Sequence, residues 1–194
     1  MRSSYILLKM NRKNEIRANV DITIASLGLS GLNDINVKID TGCPYTSIPI
    51  KKLGISSQQA LAWKQRDIKD DSIKKQISFG VNDTIEQKEQ YKAMLRQGKY
   101  DSLPAVTFLH SGLAMDFDGV EINSPSVKVS YDRTGNILIG MDILKNWDIH
   151  IGTIYTGETV FLACPKDRLN DEYFRELNKL FGTGDKIIKA EAIN

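Results

Sequence analysis

Histidine, cysteine and tryptophan are scarce in this chain, with two of each among 194 residues. Cys43 and Cys164 form no CxxC pair and have no histidine at metal-ligand spacing, which excludes a zinc module and a disulfide scaffold. No metal and no cofactor is expected. His110 and His150 have no partner at useful spacing and read as ordinary strand residues. Long apolar runs are also missing. The N-terminal patch Tyr5–Leu8 is too short for a signal-peptide core or a membrane span, and no later stretch reaches spanning length, so a cytoplasmic protein with free thiols and no membrane partner is expected. Neither charge sign dominates: 26 Lys and Arg face 24 Asp and Glu, a net charge of +2. That balance gives no nucleic-acid footprint. The charged run "KQRDIKDDSIKK" is mixed in sign and reads as a solvated face.

What is present is a strand pattern interrupted by helix signals. "RANVDITIASLGL" places Val20, Ile22 and Ile24 on one face, and "GLNDINVKID" follows after a Gly/Asn/Asp turn. "TSIPIKKLG" continues extended, with Pro49 favouring an edge. Ser56 and Gln59 have capping-box spacing ahead of "QALAWKQRD", and Asp83 with Glu86 marks a second helix that stops at Gly98. Strand patterns return in "AVTFLH", "LAMDF", "VEI" and "SVKVSYD", with Asp118-Gly119 as a hairpin turn. "NILIG" has the continuous apolar character of a strand buried on both faces. A short helix, "MDILKNW", leads to a final strand pair, "DIHIGTIY" and "ETVFLA". The tail from Lys166 to Gly182 reads as a helix with Leu169, Phe174, Leu177, Leu180 and Phe181 on one face, either core or dimer contact. Trp63 and Trp147 read as core anchors.

The stretch "NVKIDTGCPYTSIPI" places Asp40 at the end of a β-branched run, followed by Thr41 and Gly42. A carboxylate there is either a turn residue in water or a buried group whose desolvation is compensated. A D-T-G tripeptide arises by chance in roughly 5% of chains of this length, so its context matters. Apolar strand residues precede it, Thr46 and Ile48 follow, and "ILIGMDIL" lies near the other end of the β framework.

On those two segments the chain resembles the retropepsin-like aspartic proteases, the single-domain family of retroviral proteases and their cellular and bacterial relatives. The resemblance covers about Ala18 to Ala163 and implies a mainly β fold. That fold is a closed, barrel-like acid-protease half-domain spanning 1–194; the helical insertion expected over 56–103 near the flap and the C-terminal helix over 166–182 do not belong to the family's minimal form. It implies Asp40 as the catalytic carboxylate, buried as half of a pair, with Thr41 bonding across to a partner loop and Gly42 admitting close backbone approach. Cys43, Pro44 and Tyr45 become possible substrate contacts, although Pro44 has no N–H to offer. Cys43 reads as a packing residue or a redox-sensitive thiol. Asp142 reads as a cap on the short helix after Gly140. "ISFG" and "AVTFLHSG" are possible flap arms, with the Asp83–Gly98 helix at their tip. Only one D-T-G is present, so the implied enzyme is a homodimeric endopeptidase acting on a peptide or protein. The alternative is a non-catalytic module that keeps the dimer scaffold or its peptide groove.

Overall fold

The structure is a computed structural model and describes residues 4–79, 83–100, 103 and 106–182. Gly80 and Ala105, which belong to the two expected flap arms, and the chain beyond Gly182 lie outside the described residues.

Strand β2 (Ile16–Ile24) buries every second residue, Ile16, Ala18, Val20, Ile22 and Ile24, as its alternation dictates. A 3-10 turn at Ala25–Leu27, closed by Gly28 at φ 65°, leads into β3 (Leu29–Ile39). The Gly/Asn/Asp stretch expected as a turn lies inside β3. Gly31 and Asp34 take positive φ while the β2–β3 register shifts twice, so these residues bend a continuous strand. The Asp34 N–H donates to Asp21 Oδ1 at 3.0 Å and stabilises that bend.

After β4 (Ser47–Pro49) the chain makes a 3-10 turn at Ile50–Leu53. Helix α1 (Ser57–Lys69) follows, with the Ser56 hydroxyl accepting from the Gln59 N–H at 3.1 Å. Strand β5 (Lys74–Ile77) precedes α2 (Ile85–Arg96). The α2 capping box is Thr84 with Gln87, one residue later than expected, because both halves of the reciprocal bond fall there.

"AVTFLH" and "LAMDF" form one strand, β6 (Val106–Phe117), bent at Gly112, where a Cβ would come within 2.8 Å of the Ala25 Cβ. The Asp118-Gly119 turn, with both residues at positive φ, returns the chain as β7 (Val120–Ser130). Pro125 falls between Ser124 and Ser126, whose partners flank Gly112, so its missing N–H coincides with the bend. Then come β8 (Ile137–Ile139), α3 (Met141–Leu144), β9 (Trp147–Thr153), β10 (Thr159–Pro165) and α4 (Asp171–Phe181). Near the N-terminus, β1 (Ile6–Lys9) pairs with β10.

The fold is mainly β. Its larger sheet runs β2-β3-β8-β4-β7-β6-β5, and a further β2–β6 pairing closes six of these strands into a ring. Closure leaves those six strands with no free edge. β4 lies between β8 and β7, so Pro49 is not at an edge. It ends a central strand where the chain turns away. The ring encloses the core, with Ile24, Val37, Ile48, Phe108, Val129 and Ile139 completely or almost completely buried. β5 pairs with the first residues of β6, Ile77 opposite Val106, with α2 between the two strands in sequence.

The smaller sheet, β1-β10-β9, carries α4. This helix begins at Asp171 because a 3-10 turn at Lys166–Arg168 intervenes and Asn170 caps it. Tyr173, Leu177, Leu180 and Phe181 pack around Leu162 and Cys164, whereas Leu169 and Phe174 stay exposed. Burial pushes the Cys164 thiol up to about 11, so it is inert at neutral pH. His150 is more than a lone strand residue: its Nε2 lies 3.2 Å from Asp148 Oδ2, which also accepts from the Tyr173 hydroxyl at 3.0 Å.

His110 and the charged run likewise differ from expectation. Asp67, on the inner face of α1, is fully buried, with His110 Nε2 at 2.9 Å and the Arg66 guanidinium at 2.7 Å. The Tyr131 hydroxyl also donates to it. His110 Nδ1 meets the Ser26 hydroxyl at 3.2 Å, and Lys64, also buried, pairs with Asp132 at 3.0 Å. Desolvation alone would raise the Asp67 pKa. The hydrogen bonds from His110, Arg66 and Tyr131 outweigh it and hold the carboxyl below its usual value. This network fixes α1 to the ring. Asp67→Ala should cost about 3–5 kcal/mol in chemical denaturation at neutral pH, the usual cost of orphaning buried charged partners. Because the folded-state pKa is the depressed one, that contribution is complete above the unfolded value and is lost as pH falls through the folded value. The gap between wild type and variant should therefore narrow in acid, which denaturation midpoints measured across about pH 2 to 7 would check.

Candidate functional site

Asp40 is the first residue after β3, where the chain leaves the sheet. Its N–H donates to the Ile139 carbonyl at 3.0 Å, so β8, the parallel neighbour of β3, fixes its backbone. A tight turn follows. The Cys43 N–H donates to the Asp40 carbonyl at 3.1 Å, and the Gly42 N–H donates to Asp40 Oδ1 at 3.1 Å. A Cβ on Gly42 would lie 3.4 Å from that oxygen, at the edge of ordinary contact. A Cβ would therefore fit at this position, and the amide's approach to the carboxylate does not by itself require glycine.

The loop is braced from below by the segment that joins β8 to α3. The Met141 and Asp142 N–H groups donate to the Cys43 and Pro44 carbonyls at 2.8 and 3.2 Å. Gly140 lies so close under the loop that a Cβ there would stand 2.5 Å from the Tyr45 carbonyl carbon and 2.7 Å from the Cys43 oxygen. Asp142 is structural, but it does not cap α3 as its sequence context suggests: Gly140 is the N-cap and carries no side-chain cap bond, and Asp142 lies inside the first turn. Its Oδ1 accepts from the Thr46 N–H and the Thr46 hydroxyl, both at 2.8 Å, and from the Ile143 N–H at 3.0 Å. Thr46 is fully buried, and its hydroxyl oxygen accepts from the Gly140 N–H at 3.1 Å. In sequence Thr46 is only a hydroxyl residue downstream of the motif. In the fold it is the pin between the two segments.

The structure thus brings together Asp40, Thr41, Gly42, Cys43, Pro44 and Tyr45 as one braced surface loop. Asp40 itself is not buried within the chain, since about a third of its side chain, 31%, is exposed. Thr41 is exposed, and among the described residues its hydroxyl has no hydrogen-bond partner. Cys43 is half-buried and bonds the Tyr45 carbonyl at 3.1 Å, a loop contact where core packing was expected. The Cys43 and Pro44 carbonyls turn inward and are occupied, so the outward face offers mainly side chains. Tyr45 is 51% exposed, and the Lys128 ammonium lies 3.4 Å from its ring centroid. Burial pulls the Lys128 pKa below its ordinary value.

Lys38 escaped the sequence reading. On a strand, residues two apart share a face, and Lys38 Nζ stands 3.9 Å from Asp40 Oδ2 and 3.5 Å from Glu15 Oε1. The period-2 rule applied to "KID" would have found it. Among the described residues no group of histidine, cysteine or acidic side chains could hold a metal ion, and no helix is long and apolar enough to cross a membrane.

No family model and no curated protein matches the chain. Among solved structures the fold is similar to a retropepsin-like aspartic protease from Rickettsia conorii, at 13% sequence identity over 82% of this chain and 92% of that one, with a TM-score of 0.45. A likeness of that size transfers neither activity nor residue roles to this chain.

Proposed function

We propose that this chain is one half of an aspartic endopeptidase, retropepsin-like in architecture, in which two copies present their Asp40 carboxylates to each other across a twofold axis. The observation that carries this reading is the braced loop. A single carboxylate stands at the end of a central strand, fixed by a backbone amide and open to solvent on its other side. Its mounting is far more rigid than a surface turn requires. A solvated Asp-Gly turn would not need a buried threonine, an orienting aspartate and a glycine packed so closely beneath it that no Cβ would fit.

The chemistry follows from pairing. Two carboxylates held about 3 Å apart cannot both ionise and therefore share one proton. The ionised member takes a proton from a water as that water attacks the scissile carbonyl, and the protonated member donates to the carbonyl oxygen. One copy supplies one carboxylate, so the site is complete only in the dimer. The unpartnered Thr41 hydroxyl is suited to a bond with the opposite loop, which would hold the carboxylates coplanar. Gly42 contributes its N–H to Asp40 Oδ1. Tyr45 is the loop side chain best placed to meet a peptide, with Cys43 and Pro44 supporting the turn beneath it.

Three outcomes are expected. Asp40→Asn should abolish cleavage of a proteome-derived peptide library, a loss of at least about a thousandfold, with denaturation midpoints unchanged or higher because the like-charge contact is removed. Retained cleavage would remove Asp40 from the reaction. A folded wild-type dimer that cleaves nothing would point instead to a peptide-binding module on the same scaffold. The protein should be dimeric by light scattering at micromolar concentration, and a strict monomer would overturn the shared-site reading. The rate should follow a bell-shaped pH profile whose two limbs belong to the dyad as a unit. A single rising limb from kcat/KM measurements would exclude proton sharing.

A further inference from the structure

Lys38 has no role in the reaction described above, yet its ammonium is the cation nearest to Asp40 among the described residues. Its surroundings are two-sided. Glu15 Oε1 lies at 3.5 Å and Asp40 Oδ2 at 3.9 Å, both longer than the roughly 2.7–2.9 Å of a tight charged hydrogen bond. Glu15 is engaged more closely by Arg17, whose Nε stands 2.9 Å from its Oε2. The bonds and charges of Arg17 and Lys38, led by the Arg17 hydrogen bond, hold the Glu15 carboxyl below its ordinary range. Arg17 is itself the cross-strand partner of Lys38. Along this face the order is Arg17, Glu15, Lys38, Asp40, and the first two largely neutralise each other.

We infer that Lys38 is a specificity-determining residue that binds an acidic side chain, aspartate or glutamate, immediately beside the scissile bond of the substrate. The inference rests on the protease reading of Asp40. When two Asp40 carboxylates share a proton, each carries on average half a negative charge, so neither fully compensates the Lys38 beside it. The assembled site, with one Lys38 from each copy, then has positive charge in excess. Asp40 must come within hydrogen-bond reach of the scissile carbonyl or its attacking water. A cation 3.9 Å from Asp40 is therefore within reach of the side chain on one flank of that bond, and twofold symmetry supplies the second flank. The Lys38 side chain is 27% exposed in the single chain. Lys128, over the ring of Tyr45, adds a second cation at the loop, where the Asp142 carboxylate beneath is already engaged by Thr46 and Ile143.

The test compares cleavage-site profiles of wild type, Lys38→Met and Lys38→Glu on one peptide library. Each is normalised to a neutral reference peptide, so that any change in the dyad itself cancels. Wild type should cleave peptides with Asp or Glu at a flanking position roughly tenfold faster than their alanine counterparts, the scale of one charge-assisted contact. Lys38→Met should flatten that ratio to about one, and Lys38→Glu should invert it towards Lys and Arg. Added salt should shrink the wild-type ratio, since a partly exposed ion pair is screened. An unbiased wild-type profile, or an acidic preference that survives Lys38→Met, overturns the inference while leaving the protease reading intact. If no peptide is cleaved, binding decides. Fluorescent decapeptides with a central Asp-Asp or Ala-Ala are titrated against wild type and Lys38→Met. An acidic preference that disappears in the variant supports Lys38 as the anion contact, and equal binding of the two peptides overturns it. Absence of cleavage by itself counts only against the protease reading.

Discussion

The carboxylate of Asp142 holds the rest of the site in place. One oxygen accepts three hydrogen bonds, two from Thr46 and one from Ile143, and the Thr46 hydroxyl oxygen in turn accepts from Gly140. This chain joins the segment after β3 to the segment after β8, which are about a hundred residues apart in sequence. Charge-assisted bonds inside a protein are short and directional, so the join is stiff as well as strong. The absence of a Cβ at Gly140 lets the two backbones stack, and the Cys43 and Pro44 carbonyls then find donors in α3. Without that join, Asp40 would sit on an ordinary solvated turn.

The ring of six strands is what makes the join possible. β3 and β8 run parallel, and parallel neighbours deliver both of their C-terminal ends to the same rim of a sheet. The loop and the short helix that braces it therefore emerge side by side. Closure through the β2–β6 pairing leaves these six strands without an exposed edge. Helix α1 is added to this ring by a buried charged network beside the apolar contacts of Ala60, Trp63 and Ile68. Asp67, His110, Tyr131 and Arg66 satisfy one another where a single buried carboxylate would be prohibitively costly. Such a network tolerates only one arrangement of α1 on the ring, since any slip would orphan a charge.

At the rim, two requirements compete for the same carboxylate. Within one chain Asp40 faces solvent and the Lys38 ammonium, whereas a shared proton requires a second carboxylate close enough to oppose ionisation. In the proposed dimer, the pairing of two chains would resolve the competition in favour of sharing and would leave much of the positive charge of Lys38 for a substrate. Assembly, activity and charge preference would then be coupled through Lys38 on β3 and Asp40 immediately after that strand.

The sequence by itself determined the strand-and-helix order, the position of Asp40 at the end of an apolar strand, the capped start of α1 and the hairpin at Asp118-Gly119. Each depends on neighbours within a few residues, where periodicity and turn chemistry act directly. It also determined that one chain holds one D-T-G, a simple count with a structural consequence. Only the tertiary structure decided which polar residues are buried. Asp67 looked like part of a solvated charge run, and His110 looked partnerless, because α1, β6 and Tyr131 just after β7 are far apart in sequence. The same distance hid the role of Thr46, whose value comes from Asp142, 96 positions downstream. Pro49 and the Gly31–Asp34 stretch were misplaced for a related reason. Local rules read proline as an edge and Gly/Asn/Asp as a turn, whereas closing the ring required a central strand that ends at Pro49 and a long strand bent at Gly31 and Asp34. Whether a strand is central or bent is set by the neighbours it pairs with, and pairing is a property of the whole fold.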